Sequence, residues 1–363
     1  MGATVLHRAA QLGQSFWLDT IGRELLAAGG LDGWIEKGVL GVTTNPSIFE
    51  RAIAGTTAYD GEIRELAGKG KSAAEIYECL TLEEVGAAAD ILRPVYDRTG
   101  GVDGYVSLEV SPLLATDAAS TVSEAARLFS ALSRPNVMIK IPATPEGVSA
   151  AEACVADGIN VNATLIFSVG QYEAVARAYL RGLEKRAARG LPLSVASVAS
   201  VFVSRIDTAV DALLPEKEAP LRGRIAVDNA RLTYARFRSL FSNDGWLPLA
   251  EKGARVQRPL WASTGTKNPA YSDVLYLDSL IGKDTVNTVP PETLSAFLDH
   301  GKAEETLGND LEGARGRLAR LRGAGIDLDA VCAGLLRDGL KAFTAAFGGL
   351  TKSLENKIGE GSF

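Results

Sequence analysis

Short apolar segments alternate with longer helical segments along almost the whole chain, and this alternation restricts the fold more than any other feature. Eight segments have the length and composition of strands, at 15–20, 41–46, 105–110, 137–142, 161–167, 197–203, 256–264 and 284–290. Between them, apolar residues recur at the helical period, and several of these stretches open with a capping Ser, Thr, Asp or Asn. Strands separated by helices form parallel sheets, and eight such units most simply close into a barrel. We therefore predict an α/β fold, a (β/α)8 TIM barrel.

The chain is longer than such a barrel requires. A (β/α)8 barrel takes about 250 residues, which leaves roughly 100 of the chain for insertions and terminal helices. The segment 301–363 is mostly helical in pattern, and no internal repeat or Pro/Ser-rich linker divides the chain. We expect one barrel domain over residues 1–363, in which 301–363 is a C-terminal helical extension packed on the barrel.

Charge and cysteine content restrict the partners and the compartment. The chain carries 38 basic and 44 acidic residues, a net charge of −6, without the basic bias that a nucleic-acid or anionic-membrane surface requires. Its three cysteines are far apart in sequence and match no metal-ligand spacing, and no run of 18 apolar residues occurs. We expect a cytoplasmic protein, monomeric or homodimeric, that acts on a small molecule and binds neither nucleic acid nor membrane.

Polar residues recur near the ends of the strand candidates. In a (β/α)8 barrel the chemistry lies at the carboxyl ends of the strands, so polar side chains should collect late in each strand. An open, doubly wound sheet does not require this pattern on every strand. The residues concerned are Asp19, Thr43, Thr44, Asn45, Glu109, Lys140, Asn162, Thr164, Ser197, Ser200, Ser204, Ser263, Thr264, Asn287 and Thr288.

Lys140 stands in the middle of the apolar segment VMIKIP. If Ile139 and Ile141 face the helices, the period of two turns Met138 and Lys140 toward the barrel axis. Burial disfavours the charged ammonium, and a neutral amine can attack a carbonyl to form a Schiff base. The alternative is a structural lysine paired with a carboxylate, and the strand alone does not decide between the two.

Asp19 and Glu109 are the candidate acids and bases. Schiff-base chemistry moves protons at every step, and the only histidines, His7 and His300, are not near strand ends. The alternative for both carboxylates is a buried ion pair or a helix cap, although their positions on different strands at one barrel end favour catalysis.

Two asparagines and three residues at or beyond the ends of strands six and seven are candidates for substrate binding. Asn45 and Asn162 can bind hydroxyl groups, or can bond to backbone at a turn or strand end. Arg205 and Lys267 follow strands six and seven, where barrels commonly hold a phosphate, and Ser263, late in strand seven, can donate a hydrogen bond beside them.

Arg205 and Lys267 can also have purely structural roles. Arg205 can form a salt bridge to Asp207 or Asp211, and Lys267 can lie in a solvated loop. The chain has no Walker motif, no GxGxxG and no cluster of histidines and cysteines, so we expect no nucleotide or metal cofactor.

Six motifs occur in an order that resembles the transaldolase family, in its longer bacterial branch, along nearly the whole chain. The motifs are WLDT (17–20), GVTTNPSIF (41–49), VSLEVSP (106–112), VMIKIPAT (137–144), INVNATLIFS (159–168) and SVASVFVSRID (197–207). The resemblance implies transfer of a dihydroxyacetone unit from sedoheptulose 7-phosphate or fructose 6-phosphate to glyceraldehyde 3-phosphate or erythrose 4-phosphate, without a cofactor.

The resemblance also implies a role for each matching residue. Lys140 would form the Schiff base and Asp19 would take the proton of the C4 hydroxyl. Glu109 would move protons through a water that Thr164 helps to hold. The substrate-binding residues that it implies are Thr43, Asn45, Asn162, Ser200, Phe202, Arg205, Ser263 and Lys267.

Two positions, Lys267 and Phe202, affect which properties of the family can be expected of this chain. Many family members have arginine where this chain has Lys267, and lysine cannot grip a phosphate with two parallel hydrogen bonds. Phe202 matches the transferases, whereas the related fructose-6-phosphate aldolases have tyrosine there. The alternatives are an aldolase that releases dihydroxyacetone, a paralogous transaldolase with another acceptor, and a catalytically silent sugar-phosphate-binding protein.

Overall fold

The computed structural model describes residues 2–27 and 29–360, and its centre is a closed barrel of parallel strands. Each strand pairs with the next in the chain, and the last pairs with the first. The prediction of a (β/α)8 barrel is confirmed, and every strand candidate overlaps an observed strand. The strands are β1 Gln14–Leu18, β2 Val39–Thr43, β3 Tyr105–Glu109, β4 Val137–Pro142, β5 Val161–Ile166, β6 Ser197–Phe202, β7 Arg258–Ala262 and β8 Thr285–Val289.

Helices surround this barrel and follow the strands in the chain. They are α1 Val5–Gln11, α2 Arg23–Leu26, α3 Gly30–Glu36, α4 Pro46–Phe49, α5 Asp60–Gly68, α6 Ala73–Arg98, α7 Ala118–Leu132, α8 Pro145–Asp157, α9 Val169–Ala188, α10 Ser204–Leu213, α11 Ile225–Leu240, α12 Leu247–Glu251, α13 Leu275–Ser279, α14 Pro291–His300, α15 Leu311–Gly323 and α16 Leu328–Glu360. A π-helical segment, Glu50–Ala54, and 3-10 turns at Pro112–Leu114 and Glu216–Leu221 complete the connections. None of the helices in the described part of the chain is long and apolar enough to span a membrane.

Side-chain caps fix where several of these helices begin. Thr144 precedes α8 and accepts a hydrogen bond from the Gly147 N–H, and Ser168 caps α9 in a reciprocal pair with Gln171. Both caps follow directly on β4 and β5. The two strands that carry Lys140 and Thr164 are thus ended by defined turns rather than by long loops.

The amino end of the barrel is closed by a buried polar network. Arg258 lies 3.1 Å from the Asp103 carboxylate and also donates to Ser15 Oγ and the Thr285 carbonyl at 2.6 and 2.7 Å. Asp103 accepts further hydrogen bonds from Ser15 Oγ at 2.7 Å and Trp17 Nε1 at 2.9 Å. Because this network joins β1, β7, β8 and the segment before β3, it holds the strands together at the end opposite Lys140.

Ser197 lies at this amino end as well. It is the first residue of β6, where its hydroxyl donates to the Val161 carbonyl at 2.8 Å and accepts from Gln257 Nε2 at 2.8 Å. The prediction that Ser197 belongs with the polar residues at the carboxyl ends is wrong, because it opens its strand instead of closing it.

Helix α16 crosses the carboxyl end of the barrel. A side chain at Gly339 would lie 2.9 Å from Leu165 Cδ2, and the Phe347 ring meets Tyr77 edge-on with centroids 5.5 Å apart. Near its end, Lys357 Nζ donates to Asp60 Oδ1 at 2.6 Å. In the described part of the predicted extension at 301–363, helices α15 and α16 follow a non-helical segment, 301–310, and the last three residues, 361–363, lie outside the described residues.

We predict that Arg258→Met lowers the free energy of unfolding by about 3–5 kcal/mol, because it leaves the buried Asp103 carboxylate without its cation. Urea denaturation followed by circular dichroism measures this change. The matched control is Arg238→Met, which removes an exposed arginine from α11 and should change stability by less than about 0.5 kcal/mol. Equal losses in the two variants would contradict the structural role of the network.

Candidate active site

A cavity of about 630 Å³ opens at the carboxyl end of the barrel. The structure brings nine of the predicted site residues together on its wall, where they come from five different strand ends and the loops that follow. These nine are Asp19, Thr43, Asn45, Lys140, Ser200, Phe202, Arg205, Ser263 and Lys267. The other three, Glu109, Asn162 and Thr164, are buried on β3 and β5, the strands on either side of Lys140.

Lys140 is buried in the barrel interior, with only 4% of its surface exposed. Its position on β4 pairs with Glu109 of β3 and Asn162 of β5. Its Nζ donates to the Thr44 carbonyl at 3.0 Å and lies 3.5 Å from Glu109 Oε2. Because the strand period points it inward beside a carboxylate, the amine lies between a proton acceptor and the open cavity.

Glu109 is the partner of Lys140 and is itself buried. Burial raises its pKa to about 7, although the positive charge of Lys140 opposes this rise. Apart from the Lys140 contact, its two carboxylate oxygens accept no hydrogen bond from the residues that the structure describes, and the buried hydroxyl of Thr164 is likewise unpartnered among them. A carboxyl that titrates near neutral pH can both give and take a proton during catalysis.

Asp19 lies one residue beyond β1, where its N–H donates to the Val289 carbonyl at 2.9 Å. Thr43 Oγ1 donates to Asp19 Oδ1 at 2.8 Å and is 2.5 Å from Thr288 Oγ1. Burial raises the pKa of Asp19 above its usual value, while the Lys140 charge and the Thr43 hydrogen bond act in the opposite direction. The threonine thus fixes the orientation of the carboxylate at the cavity wall.

The two predicted asparagines are held differently. Asn162 accepts from Ser200 Oγ at 2.7 Å and donates to Ser107 Oγ at 3.0 Å, so a chain of hydrogen bonds joins β6, β5 and β3. Asn45 Oδ1 caps α4 by accepting from the Ile48 N–H at 3.0 Å, and its Nδ2 has no partner among the described residues. Asn45 is therefore both a helix cap and a free amide donor at the cavity wall.

Arg205 lines the cavity and makes no ion pair with any described residue. Neither of the predicted alternative partners is available to it. Asp207 accepts from the Tyr276 hydroxyl at 2.9 Å, and Asp211 accepts from the Tyr271 hydroxyl at 2.7 Å. The guanidinium is therefore free to bind an anion that enters the cavity.

Ser263 and Phe202 complete the same side of the cavity. Ser263 has a φ of 54°, which is unusual for a residue other than glycine, and its Oγ lies 3.0 Å from Ser204 Oγ. The Phe202 ring lies under the Arg205 guanidinium, 5.2 Å from centroid to Cζ, and is 5.3 Å from the Phe167 ring. Strained backbone is concentrated at functional sites, and Ser263 follows that pattern.

The residues of the cavity wall that were not predicted from the sequence include Ser47, Arg51, Glu292 and Phe343. Arg51 follows the GVTTNPSIF motif in the π-helical segment, and its charge lowers the pKa of Asp19 while that of Glu292 raises it. Ser47 and Glu292 lie in the first helical turn after a barrel strand, and this position could have indicated them from the sequence. Phe343, 5.8 Å from Lys140 Nζ, comes from α16, and no local pattern indicated it.

The comparisons with known proteins agree with this geometry. Residues 16–354 match the family described as transaldolase/fructose-6-phosphate aldolase. The chain is 45% identical over 363 residues to a transaldolase of Trichodesmium erythraeum, with 96% of each protein covered. It is 46% identical to transaldolases of Neisseria gonorrhoeae, covering 95% of this chain and 97% of that protein, and of Thermobifida fusca, covering 94% and 95%. The chain therefore belongs to the transaldolase/fructose-6-phosphate aldolase family.

Proposed function

We propose that the protein is a transaldolase that carries a dihydroxyacetone unit on Lys140 from a ketose phosphate to an aldose phosphate. The donors are sedoheptulose 7-phosphate or fructose 6-phosphate, and the acceptors are glyceraldehyde 3-phosphate or erythrose 4-phosphate. The observation that carries this proposal is the buried Lys140 amine, 3.5 Å from a carboxyl that titrates near neutral pH and open to a cavity that Asp19 also lines.

Imine formation uses Lys140 and Glu109. The neutral amine attacks the ketose C2 carbonyl and gives a carbinolamine, which loses its hydroxyl as water when a proton is supplied to it. Glu109 supplies and recovers that proton, through a water held between its carboxylate and the Thr164 hydroxyl. The unpartnered buried oxygens of both side chains support this arrangement, since such groups need hydrogen-bond partners.

Cleavage and transfer use Asp19. The Asp19 carboxylate takes the proton of the C4 hydroxyl, the C3–C4 bond breaks, and its electron pair moves into the iminium to leave an enamine on Lys140. The aldose phosphate departs and the acceptor aldehyde takes its place. Attack of the enamine on that aldehyde forms the new bond, Asp19 returns the proton to the new hydroxyl, and water releases the product from Lys140.

The substrate is held at its two ends. The phosphate binds Arg205, Lys267 and Ser263, and the unpaired guanidinium of Arg205 supports this assignment. The hydroxyl groups of the dihydroxyacetone part bind the free amide of Asn45 and the network of Asn162 and Ser200. Thr43 orients Asp19, and Phe202 supplies the apolar surface beneath Arg205.

We infer that the enzyme needs no cofactor and works in the cytoplasm, which fits its three free cysteines, Cys79, Cys154 and Cys332. A single barrel domain over residues 1–363, as a monomer or a homodimer, stays a prediction.

An aldolase that releases dihydroxyacetone is the second candidate, because the matching family includes such enzymes. Product analysis with and without an acceptor aldehyde separates the two: a transaldolase accumulates little free dihydroxyacetone without acceptor.

We predict that borohydride added with fructose 6-phosphate attaches a reduced dihydroxyacetone unit to Lys140, because reduction traps the imine. Mass spectrometry of a proteolytic digest locates the added mass. Lys140→Ala should take up no label and lose activity, whereas Lys267→Ala, the matched change of the other cavity lysine, should still be labelled at saturating substrate. A label on another residue, or none in the unmodified protein, would refute the mechanism.

We predict that Asp19→Asn still forms the imine but turns over about 100- to 10,000-fold more slowly, since the amide cannot take the C4 proton. Borohydride labelling and steady-state turnover measure the two properties separately. Glu292→Gln is the control, because it removes another carboxylate from the same cavity wall without a proposed proton transfer. Full turnover in Asp19→Asn would show that Asp19 is not the base.

We predict that Glu109 makes folding stability fall with rising pH. The folded protein keeps the Glu109 proton up to a pKa of about 7, whereas the unfolded chain releases it near 4.5. The stabilisation that the protonated Glu109 contributes is fully present below about pH 4.5 and is lost as the pH rises through about 7. The loss amounts to up to about 3 kcal/mol. From about pH 5 to about pH 8, the unmodified protein should lose stability relative to Glu109→Gln. The control is Glu251→Gln, which changes an exposed glutamate, so its stability should follow that of the unmodified protein across this range. If the stability of Glu109→Gln also followed that of the unmodified protein, the prediction would be contradicted.

A further inference from the structure

A second cavity, of about 530 Å³, lies on the outside of the barrel, between the start of α11, helix α15 and the loop that follows β7. Its wall carries four arginines, Arg222, Arg224, Arg231 and Arg317. We propose that this arginine cavity is a second anion site, which binds a small organic phosphate with a further negative group and is separate from the catalytic cavity.

The arginines of α11 are spaced to face one ligand. Arg224 immediately precedes the helix and Arg231 lies seven residues later, so both are on the same face, roughly 10 Å apart along the axis. Arg224 itself makes no side-chain cap at this end of the 16-residue helix, where the Ala226 N–H donates to Asp207 Oδ1 at 2.8 Å. A ligand with two anionic groups can meet both guanidinium groups at once.

The acidic residues in this cavity do not occupy all of the arginine donors. Arg317 forms two hydrogen bonds of 2.7 Å with Asp228 and one of 2.8 Å with Asp310. Arg231 reaches these carboxylates only through Nη1, at 3.5 and 4.0 Å, and its buried Nε has no partner among the described residues. Arg224, which is exposed, makes no ion pair with any described residue. Arg224 and Arg231 therefore keep donors for a ligand.

The two carboxylates select against a ligand of low charge. Asp228 and Asp310 line the same cavity, and a bound anion must outweigh their repulsion. They also hold Arg317 in place, which gives the cavity one rigid wall. A phosphate group is a suitable ligand because its oxygens match the fork of a guanidinium, and the volume is that of an ordinary small-molecule site.

The loop after β7 lines both cavities. Lys267 faces the catalytic cavity, whereas Tyr271 and Ser272, a few residues later, face the arginine cavity. Thr266 Oγ1 donates to the Ser272 carbonyl at 2.8 Å, so the loop closes on itself between the two. The two sites are thus distinct but share one short segment.

Isothermal titration with inorganic pyrophosphate tests the proposal, and Arg205→Gln serves as the background because it removes the main anion ligand of the catalytic cavity. In that background we expect saturable binding that is weakened roughly tenfold or more by a further Arg224→Gln change. Inorganic phosphate, which spans a shorter distance, should bind more weakly than pyrophosphate. None of these measurements depends on turnover.

The matched control is Arg315→Gln, which removes an exposed arginine of α15 whose charge is paired with Glu312. It should leave pyrophosphate affinity within about twofold of the Arg205→Gln background, which is the range of a surface substitution. Equal affinities in the Arg224→Gln and Arg315→Gln variants would overturn the proposal. Arg231→Gln is a second test, and a thermal melt shows whether this variant is folded. If it is folded and its affinity for pyrophosphate is unchanged, the proposal of a second anion site would also be overturned.

Discussion

The burial of Lys140 beside Glu109 is the constraint on which the rest of the site depends. Taking an ammonium and a carboxylate out of water costs several kcal/mol per ion, and their attraction offsets this only with good geometry. Here the contact is 3.5 Å, and the pKa of Glu109 is raised to about 7. Glu109 can therefore release and regain a proton near neutral pH while it lies beside the Lys140 amine. The proposed Schiff-base chemistry uses that mobile proton.

Two buried carboxylates, Asp103 at the amino end of the barrel and Glu109 at the carboxyl end, differ in how completely they are hydrogen-bonded. At the amino end, Asp103 accepts hydrogen bonds from Ser15, Trp17 and Arg258. At the carboxyl end, the carboxylate of Glu109 and the hydroxyl of Thr164 lack hydrogen-bond partners among the described residues. An unsatisfied buried group costs about 1–3 kcal/mol, which the fold must offset elsewhere. Asp103 thus stabilises the barrel, whereas Glu109 and Thr164 keep hydrogen-bonding capacity for the proposed reaction.

Most of the fold and much of the site could be predicted because both depend on local patterns. Alternating elements predict the barrel, and once the barrel closes, late-strand residues such as Asp19 and Lys140 meet at one end. Ser197 was misplaced because a polar residue in a strand of six residues can belong to either end, and Ser197 opens β6. Phe343 could not be found, since its position depends on how a helix some 200 residues from Lys140 in sequence packs over the cavity. The chemical roles of the site residues stay predictions.

Helix α16 supplies what the barrel alone lacks, a cover for a covalent intermediate. Phe343 is buried in the cavity wall, with its ring 5.8 Å from Lys140 Nζ, and α16 passes close to Leu165 and Arg205 at Gly339. In the proposed reaction the enamine on Lys140 must persist after the first product leaves, and excluding water from such a site suppresses side reactions. An apolar ring over the amine limits water on the cavity side, while the polar atoms of Glu109 and Thr164 lie on the strands flanking Lys140. In the proposed reaction, this apolar ring beside Lys140 favours transfer of the enamine to an acceptor over release of free dihydroxyacetone.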